Sequence, residues 1–252
     1  MTDLAIAPVE TRGQGHPRND AVSFAGVVYT WPGASPFTIR ISEFSLARGE
    51  KLLMLGPSGS GKSTFLSLLA GILTPDSGRI DVLGHDLAKL SRAARDRFRV
   101  EYFGIIFQMF NLLPYASLID NVLLPVRFSK SRRDRALTEG SLHDVAFRLL
   151  AALGLETNVI ASATTASLSV GQQQRVAAAR ALIGAPQIIV ADEPTSALDR
   201  NAEKGFLELL FAQSAAAGAS VIMVSHDEEL AHYFDRVVRL EDIAVATRDT
   251  PR

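Results

Sequence analysis

Gly56-Pro57-Ser58-Gly59-Ser60-Gly61-Lys62-Ser63-Thr64 lies between the largely apolar run Lys51 to Leu55 and the helical pattern Phe65 to Ala70. A G-x-x-x-x-G-K-[ST] loop between a strand and a helix is a phosphate cradle. Its glycines let the backbone turn tightly, so that successive N–H groups point inward at phosphate oxygens. The helix that follows adds its positive N-terminal end. In this arrangement Lys62 reaches the β- and γ-phosphates and the Ser63 hydroxyl ligates magnesium. Gly56, Ser58, Gly59, Ser60, Gly61 and Thr64 complete the candidate phosphate site.

The rest of the chain fits a nucleotide-binding α/β unit. Its 252 residues suffice for one large domain or two small ones, and its net charge of −1 gives no basic field that would suggest a nucleic-acid partner. The absence of cysteine excludes disulfides, thiolate metal sites and a cysteine nucleophile, and it fits a reducing cytoplasm. No apolar stretch reaches the ~20 residues that span a bilayer, so contact with a membrane is expected to be indirect, through a partner. Residues 1–20 carry Pro8, Gly13, Gly15 and Pro17 without an apolar signal core, and read as a flexible tail.

Ala21 to Ser45, rich in Val, Phe, Ile and Thr and broken by Pro32, Gly33 and Pro36, predicts a small antiparallel sheet. Arg79 to Leu83, Glu101 to Gln108, Gln187 to Ala191 and Ser220 to Val224 predict further strands. Continuous Val/Ile runs are strands buried on both faces, so the later ones point to a mostly parallel sheet with helices packed on it. Residues 111–170 read as a helical insertion, with Leu142, Val145, Leu149, Leu150 and Leu153 at helical spacing. Val176 to Ile183 and Ala202 to Ala217 predict two more helices. Residues 246–252 read as a C-terminal tail, and no C-terminal regulatory domain is expected.

Ile188-Ile189-Val190-Ala191 runs straight into Asp192-Glu193-Pro194. A carboxylate at the end of a buried strand beside a P-loop anchors magnesium, and a neighbouring glutamate can polarise an attacking water. Asp192 is therefore the metal candidate and Glu193 the general base. Ser169 and Gly171, in Leu168-Ser169-Val170-Gly171-Gln172, open another helix and would offer donors to a γ-phosphate at its positive end. A plain N-cap is the alternative for Ser169.

In order, the P-loop, Gln108, the Ser169 segment, Asp192-Glu193, Ser196-Ala197-Leu198-Asp199 and Ser225-His226-Asp227 form a series that resembles the ATPase subunit of ATP-binding-cassette systems. The resemblance covers roughly Val22 to Glu241. It implies ATP and magnesium as cofactors and a P-loop core with an antiparallel β-subdomain and a helical subdomain, together spanning residues 21–245. It also implies a head-to-tail dimer in which each ATP lies between one subunit's P-loop and the other's signature segment, Leu168 to Gln172. By the same resemblance Gln108 contacts magnesium and the attacking water, His226 meets the γ-phosphate, and Asp199 crosses the dimer interface. Trp31, in Val28-Tyr29-Thr30-Trp31-Pro32, aligns with the aromatic that stacks on adenine.

The chain departs from the family pattern at Val170, where a glycine is usual, and at Leu240-Glu241-Asp242-Ile243, which lacks the glycine that commonly follows the closing strand. Phe107 to Pro114, with Asp120-Asn121-Val122 and Leu124-Pro125, is similar to the ATPases of lipoprotein-release and macrolide-export systems. That similarity implies a transmembrane permease partner and a peripheral location on the cytoplasmic face of the inner membrane. Cell-division or wall-remodelling relatives share the same ATPase pattern. Phe110, Leu112, Leu113 and Tyr115 are read either as a docking patch for the membrane subunit or as internal packing. The cluster Arg127, Lys130, Arg132, Arg133 and Arg135 reads as a solvated loop or a surface for anionic groups.

Overall fold

The computed structural model describes residues 20–33 and 36–248. In chain order its elements are β1 (Asp20–Trp31), β2 (Phe37–Ala47), β3 (Lys51–Leu55), α1 (Lys62–Leu69), β4 (Ser77–Val82), β5 (His85–Asp86), α2 (Arg92–Tyr102) and β6 (Phe103–Ile106). There follow α3 (Leu118–Phe128), α4 (Lys130–Leu137), α5 (Leu142–Ala152), α6 (Thr157–Ser162), α7 (Val170–Leu182) and β7 (Ile188–Asp192). The described chain closes with α8 (Arg200–Ala216), β8 (Ser220–Ser225), β9 (Arg236–Arg239), α9 (Leu240–Ile243) and β10 (Ala244–Arg248).

Two sheets organise these elements. A parallel sheet runs β6-β7-β8-β3-β9, and an antiparallel sheet runs β10-β2-β1-β4-β5. Alternation along the parallel strands explains how the layers stack. Leu53, Leu55, Ile189, Ala191, Val221 and Met223 face a core shared with α3, α5, α7 and α8. Their neighbours Leu52, Met54, Ile188, Val190, Ile222 and Val224 face a second core shared with α1 and the antiparallel sheet. Burial on both faces is why the interiors of β3, β7 and β8 are apolar, with polar residues only at their ends. Phe65 of α1 fixes the P-loop helix to the antiparallel sheet, stacked on Phe24 with ring centroids 5.0 Å apart and edge-on to Phe44 at 4.9 Å.

The helical stretch begins later than 111. The loop before α3 is irregular, with left-handed backbone at Phe110 (φ 56°) and Asn111 (φ 50°), and Ser117 caps α3. The tail predicted from residue 246 is also corrected: β10 continues to Arg248 and pairs with β2 from Ala244↔Ile41 to Arg248↔Phe37. Residues 1–19 of the predicted N-terminal tail, and 249–252 at the other end, lie outside the described residues.

The basic cluster is helical rather than a solvated loop, with Arg127 near the end of α3 and the other four in α4, and Arg132 faces inward. Arg132, 1% exposed, donates to the carbonyls of Phe103 and Ala181 at 2.9 Å each, Ile183 at 2.9 Å and Val100 at 3.2 Å. Burial lowers its guanidinium pKa to about 10. Arg135 adds an ion pair to Glu101 at 2.9 Å, so α4 is clamped between the end of α7 and the α2–β6 junction.

Candidate active site

β3, β7 and β8 lie side by side, and the chain leaves each of them at the same carboxyl edge, where an open α/β sheet binds ligands. From β3 comes the P-loop. Gly59 (φ 78°) and Gly61 (φ 107°) take left-handed backbone that disfavours a side chain. A Cβ on Gly61 would also crowd Ile39 Cδ1 at 3.1 Å and Phe37 Cζ at 3.3 Å. Lys62, 6% exposed, donates to the carbonyls of Gly56 at 2.7 Å and Pro57 at 3.0 Å.

From β7 come Asp192 and Glu193. Ser63 Oγ donates to Asp192 Oδ2 at 3.1 Å, which joins the two oxygen ligands expected for magnesium. Burial, reinforced by the adjacent Glu193 charge, holds the Asp192 carboxyl above the usual aspartate range, although Ser63 and Lys62 oppose that shift. Glu193 sits at φ 43°, a left-handed conformation unusual for glutamate, with its amide bonded to the Val224 carbonyl at 3.0 Å. From β8 comes His226, whose Nδ1 lies 3.2 Å from Glu193 Oε2.

A cavity of about 410 Å³ gathers Ser58, Gly59, Gly61, Lys62, Ser63, Thr64, Asp192 and Glu193 together with Trp31 and Gln108. Buried Asn121 and Arg180 hold the Gln108 loop in place. Asn121 bonds both the amide and the carbonyl of Leu113, and Arg180 donates to the Asn111 carbonyl at 2.7 Å and to that of Phe110. Trp31 is 43% exposed, and its Nε1 donates to Thr64 Oγ1 at 3.2 Å. The Ser60 hydroxyl is buried without a hydrogen-bond partner inside the loop. An orphaned hydroxyl inside a P-loop fits an incoming phosphate. The oxygen set of Ser63, Asp192 and Gln108 fits a hard cation that keeps phosphate and water among its ligands.

Residues 39–196 match the protein family described as ABC transporter. The chain belongs to the ABC transporter family. It is similar to YbbA of Escherichia coli K12, an uncharacterized ABC transporter ATP-binding protein, with 39% identity over 79% of this chain and 83% of YbbA. It is 38% identical to the macrolide export ATP-binding/permease protein MacB of Rhodopirellula baltica over 80% of this chain. That match spans only 29% of MacB. Among solved structures, the dimeric MJ0796 ATP-binding cassette in a post-hydrolysis state with ADP and Pi superposes with a TM-score of 0.75 at 32% identity, covering 92% of this chain and 99% of that one. The cbiO1 subunit of Clostridium perfringens, part of the cbiONQ transporter complex, gives a TM-score of 0.72 at 25% identity over 93% of this chain and 90% of cbiO1.

In this ABC ATPase the segment Leu168 to Gln172 stands apart from the P-loop cavity. Ser169 caps α7 in a reciprocal capping box: Gln172 N–H donates to Ser169 Oγ at 3.3 Å, and Ser169 N–H donates to Gln172 Oε1 at 2.9 Å. Gly171 faces Leu198 Cδ2, 3.5 Å from where its Cβ would stand, and the exposed Val170 side chain points elsewhere. Asp199 caps α8 through the amides of Asn201 and Ala202. None of Ser169, Gly171, Gln172 and Asp199 lines the cavity of its own chain.

Two residues of the ABC cassette's cavity escaped sequence reasoning, Phe37 and Arg248. The only sequence signal for Arg248 was its place in a short alternating segment after Ile243, which is too weak to show that the segment pairs with β2. The apolar residues after Gln108 divide: Phe110 and Leu112 pack against the helical core, while Tyr115 is 84% exposed.

Proposed function

We propose that two copies of this chain close head to tail around two ATP molecules and drive a separate transmembrane permease, in export or in lipoprotein release. The observation that carries this reading is the division of the site. Lys62, Ser63, Asp192, Glu193 and Gln108 share one cavity, while Ser169 and Gly171 lie outside it with a positive helix end to offer. A second copy would supply what the first lacks.

In this reading the P-loop amides and Lys62 hold the β- and γ-phosphates, and Ser60 donates its unpaired hydroxyl to them. Ser63, Asp192 and Gln108 would hold magnesium, whose charge would offset that developing on the phosphates. Glu193 orients and deprotonates the attacking water, and His226 steadies Glu193 and the γ-phosphate side. The partner's signature segment completes the charge stabilisation, and closure and reopening of the dimer provide the stroke.

Among the described residues no helix is long and apolar enough to cross a membrane. Contact with the cytoplasmic face of the membrane would therefore run through the permease. The resemblance to MacB, a macrolide export protein, supports the export assignment. Tagged Glu193→Gln chain, with ATP, should retain a polytopic protein carrying a large extracytoplasmic region from detergent-solubilised native membranes. Recovery of ribosomal or soluble proteins alone would overturn the membrane assignment.

A further inference from the structure

Strand β10 brings a second cation to the nucleotide cavity. Lys62 and Arg248 are the two basic side chains among the described residues that line it. Their surroundings differ. Lys62 is held by the Gly56 and Pro57 carbonyls and stands 3.5 Å from Oε1 of Glu193, the candidate base. Arg248 pairs in register with Phe37 at the start of β2, and its guanidinium carbon lies 5.7 Å from the centroid of the Phe37 ring. Phe37 in turn packs against the P-loop at Gly61. The ring is thus a spacer between the loop backbone and the Arg248 cation, and Phe37 pairs in register with Trp31 of β1.

A guanidinium laid on an aromatic face keeps its in-plane N–H donors available, and it is easily desolvated because it is weakly hydrated. Here those donors border a cavity that takes a polyanion. The β- and γ-phosphates are claimed by the loop amides and Lys62, so the acceptors left for the Phe37 side are those of the ribose and the α-phosphate. We propose that Arg248 is a nucleotide-binding residue that donates from the antiparallel sheet to the ribose and α-phosphate end of ATP. Strand β10 is then a working part of the site. The inference rests on the ATPase reading above and adds to it a contact that none of the sequence motifs supplies.

Calorimetric titration of the full chain with ATP and with ADP tests this, using wild type, Arg248→Ala, Arg248→Lys, Arg40→Ala and Lys62→Ala. Arg40 is an exposed arginine of β2, opposite Val245, and lies outside the cavity. Arg248→Ala should weaken ATP and ADP equally, by about 10-fold, the scale of one lost charge-assisted hydrogen bond. Arg248→Lys should recover only part of the loss because lysine lacks the planar fork. Arg40→Ala should bind as wild type, and all three arginine variants should keep the wild-type melting temperature without nucleotide. Wild-type affinity in Arg248→Ala, with binding lost in Lys62→Ala, would overturn the inference and leave the ATPase reading intact. A loss confined to ATP would move Arg248 to the γ-phosphate and overturn its placement. A wild-type chain that binds neither nucleotide would remove the ATPase reading itself.

Discussion

His226 Nδ1 lies 3.2 Å from Glu193 Oε2, and the other oxygen of the same carboxylate faces Lys62 Nζ at 3.5 Å. Glu193 is therefore held from both sides, by an imidazole from the end of β8 and by the P-loop lysine. An Nδ1 proton on the imidazole would be donated to this carboxylate oxygen. Its 61% exposed side chain also leaves His226 free to meet a γ-phosphate.

His226→Ala should lower kcat for ATP hydrolysis by about 100-fold and change KM little, because the contact orients the base more than it binds substrate. Steady-state assays at varied ATP check this. A rise in KM at unchanged kcat would assign His226 to binding alone.

Asp192 predicts an unusual stability profile. Its folded pKa lies above the unfolded value of 3.8, with burial the main cause and the Glu193 charge second. The folded state therefore holds its proton more tightly, and stability declines as pH rises from the unfolded pKa through the raised folded one. Asp192→Asn should melt higher than wild type at pH 7 without nucleotide, and the gap should close toward pH 4. The same variant should lose the extra stabilisation that magnesium gives with ATP. A lower melting temperature at pH 7 would show that the Ser63 hydrogen bond outweighs burial.

Trp31 is the only tryptophan of the chain, and it lines the cavity, edge-on to Tyr29 with ring centroids 5.4 Å apart. Its emission should change on saturation with ATP, and Trp31→Ala should weaken ATP by 1–3 kcal/mol, about the value of one base stacked on an aromatic. An unchanged spectrum would remove Trp31 from the site.

Arg132→Met should destabilise the folded chain by at least about 3 kcal/mol in denaturant titrations. It would leave the carbonyls of Val100, Phe103, Ala181 and Ile183 without their donor. Arg132→Lys should rescue little, since one ammonium cannot reproduce the fork. Wild-type stability in either variant would contradict the clamp.

What was legible in the sequence was local. The P-loop, the strand into Asp192-Glu193 and the turn at His226 are each contiguous motifs, and the doubly buried strands announce themselves as apolar runs. What was hidden depends on partners far along the chain. Helix α2 buries only Phe98 of its own residues, so it has almost no apolar stripe to read. Arg132 looks like one charge in a basic run, and only the fold shows four carbonyls converging on it. Arg248 enters the site because β10 pairs with β2, some two hundred residues earlier. Sequence points to the candidate catalytic side chains more readily than to the residues that hold them in place, because motif spacing is local and the supports are set by packing.

The role of Glu193 is the centre of this account, and Glu193→Gln tests it most directly because the swap keeps shape while removing the base. Hydrolysis and mass in solution should be measured on the same samples with ATP and magnesium. The account predicts turnover reduced by at least about 100-fold with ATP still bound, and a shift from monomer to a stable dimer. Near-normal hydrolysis by that variant would contradict Glu193 as the base.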